Sequence, residues 1–240
     1  MALEQREFKP INFCIYCGSD GGSDGLRREH ILPFFLGGSH VLPKASCRRC
    51  EGITRDFEQS CARHMFGRLR LLTHGPTRNK KQRPTELPLH IEIDGVGQTI
   101  SVAINDYPAT AVAFPVFEPP DIITLAPTGQ KTIKGSVSFV MVPVPDNDAR
   151  LRRLRDRVGK PFSLKIDGDT PIFPFAKLLA KIAHAGAIGE YGLGSFQPFL
   201  TDFIWVQTRM QAATLAVWPP RHGWSSLSFS MECTDLFSAP

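Results

Sequence analysis

With 240 residues, 42% of them hydrophobic and 21% charged, the chain can bury a sizeable core and is too ordinary in composition to be fibrous, low-complexity or disordered. No run of about 18 uncharged apolar residues could span a bilayer, and the first ten residues, MALEQREFKP, are too polar for a secretory signal. A soluble, cytoplasmic protein without a membrane partner is therefore expected. The net charge of +5 is uneven: residues 1–84 hold 15 Lys+Arg against 8 Asp+Glu, and the remainder is slightly acidic. Any surface for a polyanion belongs in the N-terminal third.

In chain order, a β-like stretch at 11–13 leads into the first Cys-x-x-Cys knuckle, Cys14 and Cys17, and then into the loop GSDGGSDG. A short strand is expected at 26–32, carrying Glu29 and His30 and stopped by Pro33. Gly37-Gly38 permits a tight reversal into a second strand at 41–45. The second knuckle, Cys47 and Cys50, opens a helix in which Ile53, Phe57, Cys61 and Met65 recur at helical spacing, with Ser46 as the expected N-cap.

Residues 75–88, GPTRNKKQRPTELP, are polar, basic and bounded by proline, and read as a linker. The expected organisation is a small domain at 1–74, the linker at 75–88, and a larger mixed domain at 89–240. In the latter, strands are expected at LHIEI, QTISVAI, ATAVAFPVF and KTIKGSVSFVMVPV. An arginine-rich helix is expected at 148–158 and a long helix at 171–190, with further strands at 203–207, 214–218 and 227–231. The fold class is α+β. On the long helix, Lys177, Lys181 and His184 share one face, a pattern that an ordinary core or surface helix explains.

Four thiols in a C-x2-C-x29-C-x2-C arrangement suit one tetrahedral zinc ion, since two short chelating loops can close on a single metal. Six cysteines with this pairing speak for a metal site rather than disulfides, leaving Cys61 and Cys233 without a role. Between the knuckles stands the acid–imidazole pair Glu29-His30. Hydrolysis of a phosphodiester needs a base to deprotonate water and a cation to neutralise charge on phosphoryl oxygens, and imidazole suits the first task.

Cys-x-x-Cys, then Glu29-His30-Ile31-x-Pro33, then Gly-Gly, then Cys-x-x-Cys opening a helix resembles the zinc-knuckled HNH endonucleases over residues 12–60. The resemblance implies a ββα-metal core, Cys14, Cys17, Cys47 and Cys50 on a structural zinc, and His30 as general base. It also implies Glu29 as ligand of a separate catalytic Mg2+ or other divalent cation. Glu51 stands where the family carries an Asn or His ligand on the helix, and a carboxylate serves a hard cation as well. Glu58, seven residues on, shares its helical face. The family's middle Asn falls at Leu42, and His40, Ser39 or the backbone near Pro43 would have to substitute for it.

The partner implied is nucleic acid, double-stranded DNA in particular, with Lys44, Arg48, Arg49 and Arg55 as phosphate contacts and a homodimer as an open assembly. Two alternatives remain at this point. One is a zinc-ribbon module that binds nucleic acid or protein without cutting. The other is a ligand-sensing or partner-binding C-terminal half that regulates the N-terminal unit.

Overall fold

The computed structural model describes residues 6–77, 80–119, 132–165, 170–205, 214–217 and 227–232. It is α+β, as expected. Strand β1, Leu26–His30, pairs antiparallel with β2, Val41–Cys47, and the chain passes straight into helix α1, Arg48–Ser60. Cys47 rather than Ser46 is the N-cap of α1, and no side chain caps it. The fully buried Ser46 still belongs to β2, so its hydroxyl is one residue too early to reach the helix's first free N–H groups. A wide turn at Cys61–Met65, with the Phe66 N–H on the Cys61 carbonyl at 3.0 Å, follows α1 and redirects the chain into α2, Gly67–Leu72.

The remaining strands form two sheets. β3, Glu86–Ile93, and β4, Val96–Ala103, make a hairpin at Asp94-Gly95 joined at its edge by the two-residue β7, Ser163–Leu164. β5, Thr110–Phe117, pairs with β6, Thr132–Val142, which pairs with β9, Leu227–Glu232, and β9 with β8, Thr214–Val217. Helix α3, Asn147–Val158, sets Leu154 into the core under β3 and β4. Two of its arginines are used internally: Arg150 donates to the carbonyls of Ile104 and Tyr107, and Arg153 pairs with Asp106 at 2.7 Å.

Helix α4, Ile172–Tyr191, is the long helix expected there, and the short helix α5, Thr201–Trp205, follows it. The latter corrects the strand expected at 203–207, of which 206 and 207 lie outside the described residues. Phe203 and Ile204 reach the core from one helical turn, a choice that five residues of apolar pattern cannot make. Trp218 and Cys233 also fall outside the described residues. α4 is long and apolar enough to cross a membrane by length and composition, yet Lys177, Lys181 and His184 are all buried within the fold.

The largest core joins both sides of the 75–88 stretch. Tyr16, Leu42, Phe57, Met65 and Phe66 pack in one cluster with Val112, Phe175, Leu178, Ala185, Ile188 and Ile204. α4 lies close against the first strand's exit: a Cβ on Gly189 would stand 3.1 Å from Ile31 Cδ1 and from Phe8 Cζ. Small residues at that crossing let a helix from the second half of the chain close over the N-terminal unit.

Candidate active site

The two knuckles meet because β2 carries the second beside the first: the Ile15 N–H donates to the Ala45 carbonyl at 2.8 Å, and Gly18 N–H closes the first knuckle on the Cys14 carbonyl at 2.8 Å. All four sulfur atoms lie within 4.8 Å of one another. Individual Sγ separations are 3.3 Å for Cys47–Cys50, 3.5 Å for Cys50–Cys17 and 3.8 Å for Cys17–Cys47. A tetrahedron with Zn–S bonds of about 2.3 Å has edges of about 3.8 Å, so these thiols could bind zinc with little movement. Cys50 holds the Cys14 thiol down at about 4 against the opposing effect of burial.

The β1–β2 register sets Glu29 opposite Leu42 and His30 opposite Val41, with an irregularity between Arg27 and Glu29. Alternation along the strand sends the two neighbours different ways. Glu29 is only 5% exposed and its carboxylate lies 2.8 Å from Lys181 Nζ of α4, which also lies 3.0 Å from Glu58 of α1. The same ammonium donates to the carbonyls of His30 and Ile31. Burial pulls the Lys181 pKa down, but Glu29 and Glu58 outweigh it and hold the group above its ordinary value. Tyr16 closes the cluster: its hydroxyl is buried, and burial, then Glu29 and Glu58, raise its pKa.

His30 is half-buried, with its ring edge-on to Phe34 at 6.1 Å. Its Nδ1 is buried without a hydrogen-bond partner. Burial lowers its pKa below the usual histidine value, helped by Lys181 and Arg28 and opposed by the Gly38 backbone and Glu29. Glycine is required at 38, since a Cβ there would lie 1.8 Å from the Leu32 carbonyl oxygen. Leu42, in the family's Asn position, is fully buried. His40 turns its ring to Phe8, 6.4 Å away, and its carbonyl accepts the Ile31 N–H at 3.0 Å.

Glu29, His30, Glu51 and Glu58 open onto one cavity of about 500 Å³, rimmed by Arg28, Arg55, Arg63 and Arg70. Glu51 sits in the first turn of α1, partly exposed and paired with Arg27 at 2.9 Å. Of the expected phosphate contacts only Arg55 lines this cavity. Lys44 is exposed in a left-handed backbone conformation, Arg48 lies 3.7 Å from Asp24, and the Arg49 guanidinium covers the Trp205 ring at 4.9 Å.

Among the described residues, the four cysteines are the only group of three or more His, Cys, Asp or Glu side chains gathered tightly enough to hold a metal. Carboxylates nevertheless suit Mg2+, which keeps several waters and takes one or two protein carboxylates. Glu51, held only by an exposed arginine, is the freer of the two expected ligands, whereas Glu29 is committed to Lys181. Sequence reasoning missed Lys181, Tyr16, Arg28, Arg63 and Arg70 as members of this site. The spacing of Lys177, Lys181 and His184 along one face of α4 was the only available signal. His184 reaches this interface as well, its Nε2–H donating to the Ile15 carbonyl at 2.7 Å and its ring 5.7 Å from Tyr16.

No curated protein and no solved structure matches the chain, whereas a family model described as HNH endonuclease matches residues 14–66. That match spans both knuckles, β1, β2 and α1, and the four-cysteine cluster is consistent with a zinc-knuckle HNH domain over those residues.

Proposed function

We propose that the protein is a metal-dependent endonuclease that hydrolyses phosphodiester bonds of DNA, with His30 as general base. The observation that carries this reading is the opening of His30, Glu29 and Glu51 onto one arginine-rimmed cavity. His30 takes the proton of a water as its oxygen attacks phosphorus, and the bond from phosphorus to the leaving sugar oxygen breaks. Burial and the nearby positive charges keep the imidazole neutral at pH 7, the form able to accept that proton. Arg28, Arg55 and Arg63 attract and orient the anionic backbone.

A divalent cation bound at Glu51 would supply neutralisation of charge on the phosphoryl and leaving oxygens, with Glu29 held by Lys181. Zinc on Cys14, Cys17, Cys47 and Cys50 would be structural, since four thiolates leave no open position on the metal. Incubation of plasmid DNA with the protein and Mg2+ or Mn2+ should give cleavage that His30→Ala reduces by roughly 100-fold or more. Cleavage that survives in that variant removes His30 from the mechanism.

Leu42 favours a second reading, a module that binds nucleic acid without cutting. A side chain that cannot hydrogen-bond stands where the family orients its histidine. This reading expects salt-sensitive binding and intact plasmid under every metal.

A further inference from the structure

We infer that Arg70, outside the stretch matched by the family model, is a phosphate-binding residue of the cavity. This assignment rests on the reading of that cavity as a nucleic-acid site and adds a specific contact to it. Arg70 lies in the last turn of α2 and lines the same cavity as His30. Its guanidinium donates to two backbone carbonyls, Pro76 at 2.9 Å and Ala62 at 3.4 Å, and lies 5.4 Å from the Phe35 ring centroid. Its Nε–H is buried and has no acceptor.

Unlike Arg27 at the same end of the molecule, which pairs with Glu51, Arg70 has no carboxylate partner among the described residues. Burial and then the like charge of Arg83 lower its pKa, and Arg83 is itself anchored close by on the Gly75 carbonyl. A half-buried cation with no carboxylate beside it and a second cation close by gains from an anion at the cavity. The planar fork of arginine, stiffened here by an aromatic face and two carbonyls, matches a phosphate's oxygens. The anion expected at that point is a backbone phosphate of the nucleic acid whose neighbouring phosphodiester reaches His30.

The test uses the full chain loaded with zinc, a fluorescein-labelled DNA duplex and no added divalent cation, read by anisotropy across a salt series. Arg70→Met should weaken binding roughly tenfold and reduce the slope of log affinity against log salt by about one. Arg70→Lys should restore part of the affinity, and Arg6→Met, which alters an exposed pair off the cavity, should change neither quantity. In the unaltered protein the Arg70 Nε–H resonance should shift on addition of the dinucleotide TpT, a readout independent of whether the Met variant folds. Unchanged affinity and slope in Arg70→Met, or no shift of that resonance, overturns the assignment. A shift with inorganic phosphate but not with TpT overturns a nucleic-acid phosphate as the occupant. Binding by the unaltered protein without any cleavage would sink the nuclease reading alone and leave Arg70 its role.

Discussion

Lys181 is 150 residues or more away in sequence from both Glu29 and the carbonyls it binds, and its side chain is fully buried. An ammonium without water is stable only when its partners are anionic and close, and Glu29 and Glu58 meet both conditions. Replacing it with methionine would strand the Glu29 carboxylate in the interior. Lys181→Met should therefore lose about 3–5 kcal/mol of stability in urea denaturation, and Lys181→Met/Glu29→Gln should regain part of it. A loss under about 1 kcal/mol, the range of an exposed pair, would show that the cluster is solvated. The sign with pH follows from the raised Lys181 pKa: the contribution is fully present below the ordinary lysine value of 10.5 and is lost as pH rises through the folded one.

Among the elements, β1, β2 and α1 form a unit too small to hold itself together by apolar burial alone. The thiol cluster clamps the first knuckle to the end of β2 and the start of α1, where Cys47 is at once the N-cap and a candidate ligand. Chelation should thus act first on this unit. One zinc per chain is expected by elemental analysis, falling in Cys47→Ser. Removal of the metal should abolish amide protection in α1 while the β3–β4 hairpin, which has its own core, stays protected. Equal loss in both regions would contradict that division.

For the molecule as a whole, α4 ties the chain's two halves into one core. Leu178, Ala185 and Ile188 lie against Tyr16, Phe57 and Phe66 in the same cluster, and His184 reaches the Ile15 carbonyl inside the first knuckle. A fragment ending at residue 88 would expose that apolar face and leave Glu29 and Glu58 without Lys181. It should bind ANS and unfold without cooperativity even with zinc present. A well-dispersed amide spectrum and a sharp transition from the fragment would show that the N-terminal unit stands alone. Within the whole chain, the basic surplus of residues 1–84 is expressed as the arginine rim of one cavity, to which the loop after α2 adds Pro76 and Thr77.

The features readable from the letters are those set by near neighbours along the chain. Two-residue cysteine spacing can only make a knuckle, Pro33 and Gly37-Gly38 can only turn the chain, and the apolar period after Cys50 can only bury one face of a helix. The acid–imidazole pair was legible for the same reason, as a local motif. What Glu29 faces was not, because its partner comes from a distant helix whose lysines and histidine look like any surface set until packing turns them inward. The vacant donor of Arg70 and the company of Arg83 likewise follow from how α2 and its loop fold over the cavity. Local spacing thus decided where thiols and imidazole lie; tertiary packing decided which charges are paired and which await a partner, because a buried charge takes its energy from whatever surrounds it in space.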